Sequence, residues 1–299
     1  MKLKTHQIFG IYAYLGIMLL VIVFSVALGQ STPPTEAKAV TVHTIPSDKI
    51  SLEAKAAILY DINAGTIIYA KNEEAQLPIA SLTKLMTALT AATSSENGST
   101  LAISKAALGE EGDTGLRPSE HWRISDLISL TLVASSNDGA AAIADALGPR
   151  EAFVARMNET AHALGLTQTY FLNPTGLDVN AELSGGYSSA HDVARLLNYL
   201  IANKPELIEK TKQETFTTTS LDGFTHTVTN TNKELAAGES IFASKTGFTD
   251  LAGGNLAVAF DVGPARPMIA VVLGSSEKGR FQDIDTLIHA GLSYVREEL

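Results

Sequence analysis

The apolar and polar positions of this chain fall into three regimes. Residues 8–28, IFGIYAYLGIMLLVIVFSVAL, form an unbroken apolar run with no charged side chain, preceded by Lys2 and Lys4. Its 21 residues are enough to span a bilayer as a helix. Residues 30–49 are polar and proline-containing, with neither helical nor alternating spacing, and read as a linker. Beyond them the pattern becomes that of a globular domain. Two β-branched and aromatic runs, 56–61 and 65–72, are split by Ile62-Asn63-Ala64 and predict an antiparallel hairpin. Residues 79–93 follow Pro78 with apolar positions three and four apart, which predicts a helix with Ser81 in its first turn. The same spacing over 125–134, 138–147, 150–164 and 189–202 predicts a helical middle section. The chain then reverts to strand-like runs at 255–262 and 267–274 and closes on an amphipathic helix over 281–298. Strands at both ends with helices between them predict an α+β fold, one antiparallel sheet assembled from distant segments.

Charge and composition narrow the partners. The apolar run at 8–28 beside lysines reads either as an N-terminal membrane anchor or as a signal peptide, with Ala27-Leu28-Gly29 offering small residues for cleavage. Both readings keep the lysines inside and make the rest extracytoplasmic. The expected organisation is therefore 1–29 anchor or signal, 30–50 linker and 51–299 catalytic domain. A net charge of -10 without a basic run argues against nucleic acid. The absence of cysteine rules out disulfides, thiolate metal sites and a cysteine nucleophile. The seven histidines show no metal-ligand spacing, so no metal and no cofactor is expected.

Three short motifs carry the chemistry: Ser81-Leu82-Thr83-Lys84, Ser135-Ser136-Asn137 and Lys245-Thr246-Gly247. Lys84 lies among Leu82, Leu85, Met86, Ala88 and Leu89, too apolar a setting for an ordinary surface lysine. Its three-residue spacing from Ser81 makes the side chains neighbours on a helix. Desolvation would lower the lysine pKa, so that a neutral amine can take the proton of Ser81 without any histidine. Free N–H groups in the first turn of that helix could serve as oxyanion donors. Ser135-Ser136-Asn137 falls on a loop between two helices, where serine and asparagine also serve as ordinary caps. The third motif follows a strand-like run at 240–244, with Lys245 and Thr246 supplying a cation and a hydroxyl for a terminal carboxylate. Gly247 would there let a substrate backbone approach closely.

The order S-x-x-K, S-x-N, K-T-G is the signature of serine β-lactamases and penicillin-binding proteins. From about residue 55 to 299 this sequence resembles the low-molecular-mass D-alanyl-D-alanine carboxypeptidases, serine peptidases of the β-lactamase/transpeptidase-like superfamily. The resemblance extends to YDINAGTIIYAKNEEAQLPIASLTKLMTALTA, FLNPTGLD, YSSAHDVARL and SKTGFTDLAGGNLAVAF. It implies that Ser81 attacks the carbonyl between the two terminal D-alanines of a peptidoglycan stem peptide, forming an acyl-enzyme that water hydrolyses. Lys84 would be the base, Ser135 a proton relay to the leaving amine, and Asn137 a holder of the substrate amide. Lys245, Thr246 and Gly247 would bind the terminal residue. The backbone N–H groups of Ser81 and Phe248 would form the oxyanion hole, and β-lactams would acylate the same serine.

Two features depart from the larger members of that family. The sequence ends about fifty residues after Lys245, without their additional C-terminal β-domain, so membrane attachment would fall to residues 8–28. Phe248 stands where histidine or tyrosine is common, although the oxyanion needs only its N–H. A β-lactamase would need a further glutamate for its water, and the 171–183 region offers only Glu182 without the usual spacing. A D,D-endopeptidase or transpeptidase would use the same residues on another substrate shape. A non-catalytic wall-binding scaffold would be marked by a missing catalytic residue, and none is missing.

Overall fold

The computed structural model describes residues 44–298 apart from 97, 234–239 and 264. The predicted apolar segment 8–28 and most of the predicted linker lie outside the described residues. Among the described residues no helix is long and apolar enough to cross a membrane. The last part of the predicted linker is not free chain. Ile45 donates its N–H to Ile68 O at 2.8 Å, and Ile45 and Ile50 pack against the core.

Five antiparallel strands form the main sheet: β1 (Ala56–Asp61), β2 (Thr66–Lys71), β3 (Ile241–Thr249), β4 (Gly253–Asp261) and β5 (Pro267–Ser275), in the order β3-β4-β5-β1-β2. The two halves of the chain meet where β1 pairs with β5, Ala56 opposite Leu273 and Asp61 opposite Met268. The helices are α1 (Thr83–Ser94), α2 (Ile124–Ala134), α3 (Asn137–Ala146), α4 (Arg150–Ala163), α5 (Ala190–Asn203) and α6 (Gly279–Glu298). The α+β class and the sheet built from distant segments are as the sequence predicts.

Alternation along the strands explains the layering, because successive side chains leave opposite faces of a sheet. Ile58, Ile269, Val271 and Leu273 join one buried cluster with the helical middle section, while Leu59, Met268, Ala270 and Val272 join another with Ile284, Leu287 and Ile288 of α6. The sheet is thus covered on both faces, which is why β1 and β5 read as continuous apolar runs rather than alternating ones. A ribbon that the hydrophobic pattern does not predict, Thr215–Thr219 paired with Thr225–Thr229, presents its alternate threonines to solvent. Its inward positions are too few to register as apolar periodicity. The strand β3 is an edge of the main sheet, and the helical section presents the Ser81 turn to it.

Candidate active site

Ser81 does not sit inside an α-helix. It occupies a 3-10 turn, Ala80–Leu82, that feeds α1 at Thr83, a correction to the predicted helix start at residue 79. Ala80, just before it, has φ of +48°, a left-handed backbone that a residue with a Cβ rarely adopts. Two glycines hold that turn in place. A Cβ on Gly176, itself at φ +80°, would stand 2.0 Å from Ala80 O, and one on Gly247 would stand 2.7 Å from Ile79 O. Gly247 therefore makes room for the chain's own Ser81 turn, where the sequence suggests room for a substrate. The motif it belongs to also lies within β3 rather than after it.

Lys84 is completely buried, and its Nζ donates to Ser81 Oγ at 2.8 Å, Asn137 Oδ1 at 2.6 Å and Thr175 O at 2.7 Å. Burial lowers its pKa to about 7, against the opposing pull of Asp138 and Glu110. Three acceptors satisfy the ammonium. When the amine is neutral, two N–H groups can keep Asn137 and Thr175 while the lone pair faces the Ser81 hydroxyl. The Thr175 carbonyl is a contact of Lys84 that sequence reasoning misses, because any residue supplies a carbonyl. Gly176 beside it was the available signal.

The second motif divides its labour by position. Ser135 ends α2 in a left-handed conformation, φ +58°. Ser136 is the N-cap of α3, accepting from Gly139 N at 2.8 Å, so the bland capping role belongs to this residue alone. Asn137 is already the first residue of α3, and its amide reaches Lys84. The close succession of α2 and α3 leaves Ser135 to meet Lys245 and Asn137 to meet Lys84.

From the opposite wall, Lys245 Nζ donates to Ser135 Oγ at 2.8 Å and to Thr246 O at 2.9 Å. Lys245 is buried, and its pKa is pushed well below the lysine range, first by burial and then by the charges of Lys84 and Arg280. Thr246 shares a hydrogen bond with Thr231 at 2.6 Å. Arg280 of α6 is buried as well and donates to Gly247 O at 2.8 Å. It lies 35 residues beyond Lys245 in sequence, with no spacing rule to connect them.

The edge position of β3 matters for its N–H groups. Ser244 N donates away from β4, to Thr211 Oγ1 at 3.1 Å. With a two-residue period, the N–H groups of Thr246 and Phe248 point to the same open side. The Phe248 ring is exposed, and a cleft of about 450 Å3 lined by Glu111, Asp178 and Thr249 opens beside it. The structure therefore brings Ser81, Lys84 and Asn137 into one hydrogen-bonded group, and Ser135, Lys245 and Thr246 into a second. Gly247 joins them by packing on the Ile79–Ser81 backbone. Among the described residues no group of three or more His, Asp or Glu side chains could hold a metal ion.

Residues 40–277 match peptidase family S11, D-alanyl-D-alanine carboxypeptidase. The chain is 32% identical over 243 residues to the D-alanyl-D-alanine carboxypeptidase DacF of Bacillus subtilis (strain 168), covering 77% of this chain and 59% of that one. It is 32% identical to a D-alanyl-D-alanine endopeptidase of Escherichia coli (strain K12), over 77% of this chain and 74% of that one. The crystal structure of penicillin-binding protein D2 from Listeria monocytogenes in its cefotaxime-bound form superposes with a TM-score of 0.71 at 29% identity, covering 83% of this chain and 99% of that one. The chain thus spans about three fifths of the length of DacF.

Proposed function

Since the chain belongs to the D-alanyl-D-alanine carboxypeptidase family of serine peptidases, we propose that it removes the terminal D-alanine from peptidoglycan stem peptides through an acyl-Ser81 intermediate. The observation that carries this reading is the Lys84 amine, fully buried and 2.8 Å from Ser81 Oγ. Neutral Lys84 takes the Ser81 proton as Oγ bonds to the carbonyl carbon between the two D-alanines. The oxyanion that develops is held by the N–H groups of Ser81 and Phe248. Collapse breaks the C–N bond, and Ser135, held by Lys245, gives its hydroxyl proton to the leaving amine and takes back the proton that Lys84 had accepted, so that free D-alanine departs and Lys84 is again a neutral amine. Water then adds to the ester and restores Ser81.

In this reading Asn137 holds the substrate amide with the N–H that its neighbours leave free. Lys245 and Thr246 bind the terminal carboxylate, and Gly247 keeps the nucleophile turn and β3 in contact. The stem peptide runs along the cleft beside Phe248. A β-lactam acylates the same serine and is released slowly, because its amine leaving group stays tethered. Residues 51–299 form the catalytic domain, and residues 8–28 export it or anchor it to the outer face of the membrane. A D,D-endopeptidase activity is the second reading, favoured by the similarity to the E. coli endopeptidase. Its chemistry at Ser81 would be identical, with a cross-linked peptide beyond the scissile bond.

Incubation with benzylpenicillin should give a stoichiometric covalent adduct that peptide mapping locates on Ser81, and a pentapeptide substrate should release free D-alanine. A folded protein that takes no adduct and releases no D-alanine would refute the catalytic reading; cleavage of cross-linked dimers alone would select the endopeptidase. The lysine also dictates the pH dependence. Below about pH 7 Lys84 is an ammonium that cannot accept a proton, and above it a free amine that can. The acylation rate constant should therefore rise with pH along a limb centred near 7 and then level. A rate independent of pH from 5 to 9 would remove Lys84 as the base.

A further inference from the structure

Behind the cleft lies a buried carboxylate that the chemistry above does not use. Asp138, the second residue of α3, is 2% exposed. Its Oδ1 accepts from the Ser136 hydroxyl, from Thr114 Oγ1 at 2.6 Å and from Gly139 N at 2.9 Å. Its Oδ2 accepts from Thr114 N at 3.3 Å. The Thr114 and Ser136 hydroxyls are themselves 2.9 Å apart. A helix that needed only a cap would be complete with Ser136. The grip on Thr114 instead reaches a separate segment, which bends through Gly112 at φ +91° and contributes Glu111 to the cleft wall.

That segment is also held one residue earlier on α3, where Asn137 Nδ2 donates to Glu111 O at 2.7 Å. The contact has a chemical consequence. The two ends of an amide are opposite in character, and an Asn137 turned end for end would aim its NH2 at the Lys84 ammonium, donor against donor. The Glu111 carbonyl accepts only from the nitrogen end, so it selects the orientation in which Oδ1 faces Lys84.

We propose that Asp138 is a positioning residue for the active site: by clamping Thr114 it seats segment 111–114 over the cleft, and the seated segment aims the Asn137 amide at Lys84. This rests on the serine-peptidase reading above. The same carboxylate bears on the charge of Lys84, which Asp138 faces from α3 and Glu110 from the preceding segment, both favouring the ammonium. On β3, Lys245 is itself held low by burial, by Lys84 and by Arg280 of α6. Neutralising Asp138 therefore lets Lys84 lose its proton at lower pH.

The test is the rate constant for benzylpenicillin acylation of the full chain, followed from pH 5 to 9 in wild type, Thr114→Val and Asp138→Asn, with a melting curve for each. Thr114→Val keeps the carboxylate but loses the hydroxyl it grips; its acylation should fall about tenfold at every pH, with the midpoint of the acid limb unmoved. Asp138→Asn should lower the plateau similarly and also displace the limb to lower pH. If Asp138→Asn does not fold, the Thr114→Val rate alone decides. A folded Thr114→Val that acylates as fast as wild type overturns the proposal, and so does a folded Asp138→Asn whose plateau stays at the wild-type level, since Asp138 would then be a helix-end residue only. A wild type that takes no adduct is a different failure and removes the peptidase reading itself.

Discussion

A Lys84→Met variant should fold and yet acylate on the order of a thousandfold more slowly than the native protein above pH 8, where the native amine is free. Methionine fills nearly the volume of the lysine stem and carries nothing that can accept a proton. Among the described residues the side chain that hydrogen-bonds Ser81 Oγ is Lys84, whose Nζ lies at 2.8 Å. The effect on stability is the balance of two opposed contributions. The variant no longer buries an amine whose charged form is disfavoured by desolvation, but it leaves Asn137 Oδ1 and Thr175 O without their donor. The melting temperature should therefore move much less than the rate. Stopped-flow acylation with a chromogenic cephalosporin measures the rate directly. A variant within tenfold of wild type would mean that the proton goes elsewhere, and Lys245 with Ser135 would become the pair to test.

The second large effect is expected far from any reacting atom. Gly176→Ala should cost about 3 kcal/mol or more of stability and abolish acylation together with it. Its Cβ would stand 2.0 Å from Ala80 O, 2.5 Å from the Ala80 carbonyl carbon and 2.8 Å from Thr83 Oγ1, while the backbone stays at φ +80°. Backbone cannot step aside as a side-chain tip can, so either the Ala80–Leu82 turn or the Thr175 carbonyl must shift. Each of these holds one end of the Ser81–Lys84 contact. Gly223→Ala provides the comparison, since that glycine also has positive φ but has nothing within 4 Å of a Cβ. Chemical denaturation of both variants separates conformational strain from collision. Equal losses in the two would assign the Gly176 effect to backbone conformation alone and refute the clamp on the nucleophile turn.

The part of the fold governed by short-range pattern was legible in the chain alone. The hairpin β1–β2, the helices of the middle section and the strands β4 and β5 all follow from the spacing of apolar residues over windows of about ten, and the structure reproduces them to within a few residues. The Ser81–Lys84 pair was legible for the same reason: two residues three apart are neighbours on a helical turn, and the apolar residues around Lys84 announced its burial. Which backbone carbonyl receives the lysine, which wall holds Ser135 and what Gly247 packs on depend instead on long-range packing. Thr175, Lys245 and Arg280 come from segments 91, 161 and 196 residues beyond Lys84. They meet because β3 forms the sheet edge beside the Ser81 turn and α6 covers the face behind it. Nor does local pattern distinguish Ser135, Ser136 and Asn137, all of them ordinary at a helix boundary. Their roles separate only when α2 and α3 are packed, because a hydroxyl that caps and a hydroxyl that faces a cleft differ in what surrounds them and in nothing the chain spells out.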